Sequence, residues 1–330
     1  MDPEVSVVMT SYNHGQWVQQ LIDHVLAQTF RSWELLVLDN GSTDNFPQII
    51  ESYRRHPQIT VIRYERNTPI TAILNHGIRT AHGRYFSLFY SDDYYLPTEL
   101  ERQVAPFEAL PSEYGVVYST GYRLMPDGQL HPVPCGRHRG NVLHALLTEP
   151  RFFPPIAPLV LRECLLRHPF NESIFVEGEG VYAKIALGYL FYPLPEPLVV
   201  MRDHPGSMGK EIEANLRRDV LRYEHLFGRP DFAPVLQHLR GIAIGGSYRL
   251  NGWQTMRRGR NYAQARTWLR RAIGHNRRAL RNPRVIAGPV ISSLPRAIAD
   301  VCMDFLDRAA AVPPPPVSGP ETPVEVRPWS

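Results

Sequence analysis

Two carboxylates stand side by side, Asp92 and Asp93, in the segment RYFSLFYSDDYYLP at residues 84–97. The aromatic, apolar run before them predicts a strand, and Pro97 suits the first turn of a helix after them. In an open α/β sheet that layout presents ligand-binding groups at the carboxyl end of a strand. Adjacent acids repel each other. An oxygen-preferring cation, Mg²⁺ or Mn²⁺, would neutralise them and keep positions open for a phosphate-bearing ligand. The same dipeptide also fits a plain Asp-Asp turn that caps a helix. The choice between the two depends on which other polar groups share the rim.

The elements that would position them precede them in the chain. Residues 5–9 (VSVVM) read as a buried strand that stops at the turn formers of 10–15, TSYNHG. Trp17, Val18, Leu21, Ile22, Val25 and Leu26 have the spacing of one helix face. Residues 34–39 make a second strand with the loop 40–44, and Phe46, Ile49, Ile50 and Tyr53 line a second helix. A third strand over 59–64 and a third helix over 70–81 complete a repeated strand–helix pattern, which implies a parallel sheet with right-handed crossovers. The loops 10–13, 39–44, 66–71 and 91–93 then converge on one rim. That favours a site over an isolated turn.

Beyond residue 97 the pattern changes. A strand is expected over 116–119, a hairpin or lid over 122–138 with Asp127-Gly128 at its turn, and a short helix over 141–147. Residues 152–158 are rigid and apolar. A helix over 181–187, a proline-edged strand over 192–201 and a polar loop over 202–208 follow. From 211 onward the pattern is helical: residues 259–272 resemble half of a helical-repeat pair, and 285–306 are amphipathic.

Composition sets bounds on this. An apolar fraction of 43% and a charged fraction of 21% are ordinary for a globular protein. The net charge is +4, and almost every cation is an arginine, Lys184 and Lys210 being the two lysines. Residues 249–284 hold eleven arginines and no acid, so an acidic partner is expected there. Three scattered cysteines fit a reducing compartment. The lack of a leader pattern or an apolar span predicts a cytoplasmic protein.

Residues 6–13 (SVVMTSYN), 34–44 (ELLVLDNGSTD), 67 through 75–78 (NHGI), and 81–85 (AHGRY) running into 90–97 (YSDDYYLP) match, in order and spacing, the motifs of glycosyltransferase family 2. A weaker match, 196–207 (EPLVVMRDHPGS), extends the resemblance to about residue 208. The chain thus resembles inverting enzymes with a glycosyltransferase A fold, a Rossmann-like nucleotide-diphospho-sugar transferase architecture. The resemblance implies a catalytic domain over 1–210; the helical pattern adds a C-terminal region over 211–310, and the four consecutive prolines at 313–316 predict a disordered tail over 311–330. The resemblance further implies a UDP- or dTDP-sugar donor, a glycan or lipid-linked acceptor, and Mn²⁺ or Mg²⁺. The implied donor-binding residues are Thr10, Tyr12, Asn13, Asp39, Asn67, Asn75, Ser91, Asp92, Asp93 and His204. Of these Thr10 and Tyr12 lie against base and ribose, Asp39 accepts from the base, and Asp92, Asp93 and His204 serve the metal. Four positions depart from the family pattern: Tyr90 replaces the first acid of its Asp-x-Asp motif, Asn40 an aspartate, Leu74 an arginine and Pro69 a glycine.

An inverting displacement needs a carboxylate that deprotonates the acceptor hydroxyl. The resemblance places it within 176–184, VEGEGVYAK. Aligning on Lys184 puts Glu177 on the family's glutamate and Gly178 on its aspartate, with Glu179 adjacent and flanked by glycines. Glu179 is preferred and Glu177 stays open; both also suit the start of a helix on charge alone. Three other readings compete. A degenerate nucleotide-sugar-binding module would fit Tyr90, Asn40 and Gly178. A nucleotidyltransferase would need a basic glycine-rich loop that 10–15 lacks. Nucleic-acid binding would need more interleaved aromatics than Tyr262 and Trp268. The arginine tract also suits a peripheral contact with anionic membrane at its inner face.

Overall fold

The computed structural model describes residues 2–133, 135–149, 152, 154, 156–232 and 236–310. The proline-rich tail expected over 311–330 lies outside the described residues.

Nine strands form one sheet. In chain order they are β1 (Val5–Ser11), β2 (Trp33–Asp39), β3 (Ile59–Arg63), β4 (Tyr85–Tyr90), β5 (Tyr94–Tyr95), β6 (Tyr114–Leu124), β7 (Leu130–Val133), β8 (Leu159–Leu161) and β9 (Leu190–Arg202). They are ordered β3-β2-β1-β4-β8-β6-β9-β5, with β7 paired to β6. The first four are mutually parallel, as the strand–helix repeat predicts, and β8 joins β4 antiparallel. The expected hairpin is formed by β6 and β7, with Gly128 at φ 84 in its turn.

Both faces of the sheet are covered, so its strands alternate between two cores. Val8, Leu36, Leu38, Phe86 and Leu88 face one, while Val5, Val7, Met9, Leu35, Val37 and Phe89 face the other. The second core is closed by α1 (Gly15–Leu26), α2 (Phe46–Glu51) and α4 (Glu99–Ala109). The first is closed by α3 (Ile70–Thr80), α5 (Leu143–Thr148), α6 (Arg162–Arg167) and α7 (Gly180–Ile185). It also takes in Tyr223, Leu226 and Phe227 of α8 (Ile212–Gly228) and Leu239, Ala243 and Ile244 of α9 (Gln237–Gly259). The helical region therefore begins as part of the same core. Three further helices, α10 (Tyr262–His275), α11 (Pro283–Ile291) and α12 (Arg296–Ala310), enclose a small cluster of Met256, Tyr262, Ala265, Ala299 and Met303 with α9. The amphipathic stretch over 285–306 is thus two helices, interrupted before Pro295. Proline cannot donate to the preceding turn.

One group in this frame has a measurable consequence. Glu99, in the first turn of α4, is fully buried and neither carboxyl oxygen has a hydrogen-bond partner. Burial pushes its pKa well above the carboxylate range, so the folded state holds it neutral. Because the folded value is raised, its stability contribution is complete below the unfolded value and is lost as pH rises. Glu99→Gln should therefore be more stable than wild type at alkaline pH. The gap should widen by up to about 1.4 kcal/mol per pH unit above the ordinary carboxylate value. Urea denaturation across pH checks this; a gap independent of pH would contradict it.

Candidate active site

The strand register brings the polar loops to one rim. Thr10 pairs with Leu38 and Tyr90, and Ser11 pairs with Asp39, so β1, β2 and β4 end level with one another. The first two loops are then locked together. Asn13, at φ 55, donates its N–H to Ser42 Oγ (2.9 Å) and accepts from Thr43 N–H at Oδ1 (2.8 Å). Asp44 accepts the Gly15 and Phe46 N–H groups, tying the start of α1 to that of α2. Tyr12 projects from this rim, 41% exposed, while Thr10 is buried beneath it.

Asp39 is 1% exposed. Its Oδ1 accepts from Ser42 N–H at 2.9 Å. Its Oδ2 lies 3.4 Å from Arg63 Nε without a hydrogen bond, so a buried lone pair remains available beside a cavity of about 270 Å³. Asn67 sits one loop away and accepts from Asn40 Nδ2 (2.8 Å), while Asn40 Oδ1 takes Thr68 N–H (2.9 Å). The asparagine that departs from the family pattern thus staples two rim loops, which an aspartate could do only by losing the donor. Gly41 permits this approach: it sits at φ +80, and a Cβ there would lie 2.7 Å from the Arg66 carbonyl carbon.

The acidic pair divides. Asp92 faces the rim, and its Oδ2 lies 3.1 Å from His204 Nε2, a contact between loops 112 residues apart. Asp93 turns inward at 7% exposure, where its Oδ1 accepts the Arg202 N–H at 3.0 Å. Burial, and then the charge of Asp92, raise its pKa well above the carboxylate range. Among the described residues no three His, Cys, Asp or Glu side chains converge as a metal cluster. The donor set is one hard carboxylate oxygen and one imidazole nitrogen. That fits Mn²⁺ or Mg²⁺ completing its shell with phosphate oxygens and water. Asp93, expected as a third metal ligand, instead fastens β9 to the acidic turn.

Residues that no sequence signal singled out support this corner. Ser91 Oγ lies 2.7 Å from His14 Nδ1, and burial lowers the pKa of His14, which favours the neutral ring. Trp17 packs against His204 at 4.5 Å between ring centroids. Arg202 lies over both Trp17 and Tyr94, and its Nε donates to the Asp92 carbonyl at 3.3 Å. In sequence His14 looked like a turn former and Trp17 like a core residue, because neither carries a local pattern.

The two candidate bases have opposite surroundings. Glu177 is 1% exposed; Lys184 Nζ lies 2.9 Å from its Oε1, and Asn171 N–H donates to its Oε2 at 2.7 Å. Lys184 is equally buried, and that burial lowers its pKa. An enclosed carboxylate held by a buried ammonium cannot meet an acceptor, which removes Glu177 from the candidate bases. Glu179 is half-buried in the turn before α7, next to Gly178 at φ 56. The charges of Glu179 and of Tyr90, at the end of β4, both act on the buried Tyr182 hydroxyl. Asn75 is also corrected. Its Nδ2 donates to the Phe170 carbonyl and to Glu172, and its Oδ1 accepts Phe170 N–H, each at 2.8 Å. With Thr71 donating to the Ile174 carbonyl, it anchors the segment leading to Glu177 and Glu179 rather than a ligand.

Residues 6–152 match the family described as glycosyl transferase family 2. Over that region the chain is similar to family 2 glycosyltransferases. Among curated relatives, an uncharacterized glycosyltransferase of Rickettsia prowazekii is 34% identical over 133 residues, 40% of each chain. The putative teichuronic acid biosynthesis glycosyltransferase TuaG of Bacillus subtilis is 32% identical over 124 residues, 37% of this chain and 48% of that one. The matched region spans less than half the length of each of these two relatives. Among solved structures, S. aureus TarS 1-349 superposes with a TM-score of 0.61 over 92% of both chains at 17% identity. A mannosyltransferase of Pyrobaculum calidifontis, solved with GDP-Man and Mn²⁺, gives 0.60 over 93% of this chain and 88% of that one, also at 17%. These likenesses show the glycosyltransferase A fold. The family match ends before Glu177, Glu179 and His204.

Proposed function

We propose that the chain transfers a sugar, with inversion, from a nucleoside-diphosphate donor to a hydroxyl of a glycan or lipid-linked acceptor. The observation that carries this reading is the Asp92–His204 contact on the rim that also holds Asp39 and Thr10. Asp39 Oδ2 receives an N–H of the base, and Tyr12 covers the ribose. Asp92 and His204 would hold Mn²⁺ or Mg²⁺, which would supply charge stabilisation for the leaving diphosphate. Asp93 and Arg202 keep the acidic turn in register with β9. Glu179 takes the proton from the acceptor hydroxyl on the side opposite the leaving group. Tyr90, in place of an acid, leaves Asp92 without a second carboxylate from that motif. UDP- and dTDP-sugars are the first donors to try; TarS 1-349 has been solved with UDP and with UDP-GlcNAc.

With only two protein ligands, the cation should bind weakly alone and tightly with nucleotide. Titration calorimetry should show UDP or dTDP binding in Mn²⁺ and much weaker binding after chelation. Asp92→Ala should show no gain from the metal. Equal nucleotide affinity in the variant and the wild type would defeat the assignment.

A further inference from the structure

A second cavity, about 350 Å³, opens on the helical region far in sequence from the rim, between α9 and the turn preceding α11. Arg249, Arg278 and Arg281 line it together with Asn276 and Asn282, and no acid lines it. Each asparagine uses its Oδ1 to cap a following N–H, that of Arg278 or Arg284, which leaves the carboxamide NH₂ groups as donors. None of the three guanidiniums is paired with a carboxylate among the described residues. Glu149, next to the cavity wall at Thr148, is paired with His138. Burial and the like charge of Arg284 lower the pKa of Arg249, as expected for a cation lacking its counter-ion.

The C-terminal helices that carry this cavity and follow it are amphipathic. The turn that supplies Arg278 and Arg281 also exposes Leu280 (47%), and α11 exposes Ile286 and Val290 (54% and 61%). On α12, Ile298, Val301 and Phe305 are exposed, whereas Asp300 and Asp304 accept from Tyr262 and Arg260. The helix thus turns its acids toward α9 and α10 and leaves apolar residues outside. Arginines beside exposed apolar side chains match an anionic bilayer surface, where guanidiniums meet phosphates and apolar side chains reach the acyl boundary. No helix among the described residues is long and apolar enough to cross a membrane, so this contact is peripheral.

We propose that the cavity is a phosphate site for the headgroup of an anionic phospholipid, docking the C-terminal helices on a membrane surface. The site is independent of the sugar-transfer reading and can be tested without turnover. The full chain is sedimented with vesicles of phosphatidylcholine alone and of phosphatidylcholine mixed equally with phosphatidylglycerol. The expected result is binding to the anionic vesicles only. Arg249→Gln/Arg278→Gln/Arg281→Gln should weaken it by about fivefold per arginine, roughly 100-fold in all. Gly246→Trp provides a second variant, since Gly246 lines the cavity and a Cβ there meets nothing within 4 Å. It should plug the site while keeping all three charges, and it too should lower binding. Equal binding to neutral vesicles, or variants that bind like wild type, would overturn the proposal. Stabilisation of the wild type by inorganic phosphate without vesicle binding would assign the cavity to a soluble anion instead. A self-association seen by light scattering and abolished by the variants, again without vesicle binding, would assign the surface to a second copy of the chain.

Discussion

Glu179→Gln should lower sugar transfer by roughly 10²–10⁴-fold, the range for loss of a positioned general base, with melting temperature and nucleotide affinity unchanged. Glutamine keeps the size and a hydrogen-bonding end but cannot accept the acceptor's proton. Stability is spared because Arg222, the buried cation that feels the charge of Glu179, keeps its ion pair with Asp219 at 3.0 Å. The turn around Glu179 is shaped by its neighbours: Gly178 holds φ 56, and a Cβ on Gly180 would lie 2.9 Å from Arg222 Cγ and Cδ on α8. Steady-state rates with wild-type and variant protein at saturating donor decide the point. A variant turning over at the wild-type rate would move the base elsewhere.

Glu177→Ala should fail for a different reason. Removing one partner of a buried ion pair costs about 3–5 kcal/mol, because the other charge is left uncompensated in the core. Here the stranded group would be Lys184, one of two lysines in a chain that otherwise uses arginine, and 1% exposed. The unfolding free energy from urea denaturation should fall by that amount, and Glu177→Ala/Lys184→Met should recover much of the loss by removing the orphaned charge as well. Activity per folded molecule should recover with the fold. A Glu177→Ala protein with wild-type stability and no turnover would reverse the roles of the two glutamates.

The parallel half of the fold was legible because its signal is periodic. Buried strands, helix faces and turn formers alternate at short spacing through residue 90, and the register follows from them. The acidic pair was legible as a pair, but its division was not. Whether Asp93 points at a ligand or into β9 depends on Arg202, 109 residues away. The same holds for Glu177 and Glu179, which are chemically equal in sequence and separated by the burial of Lys184. Asn75 lay in a segment matching the family, yet its amide is fully engaged with Phe170 and Glu172, so motif membership alone misplaced it. His14 and Trp17 act through contacts across loops, which no local spacing encodes. The arginine tract was visible as charge, but the cavity into which three of those arginines converge required the turn between α10 and α11.

The central claim is that the Asp92–His204 corner serves sugar transfer from a nucleotide donor. It is tested most directly by nucleoside-diphosphate release from a panel of nucleotide-sugars in Mn²⁺, with wild type and Asp92→Ala side by side. The account predicts turnover of at least one donor by wild type, abolished by chelation, and none above background for Asp92→Ala at unchanged melting temperature. Wild-type-like turnover by Asp92→Ala, or turnover indifferent to chelation, would contradict it.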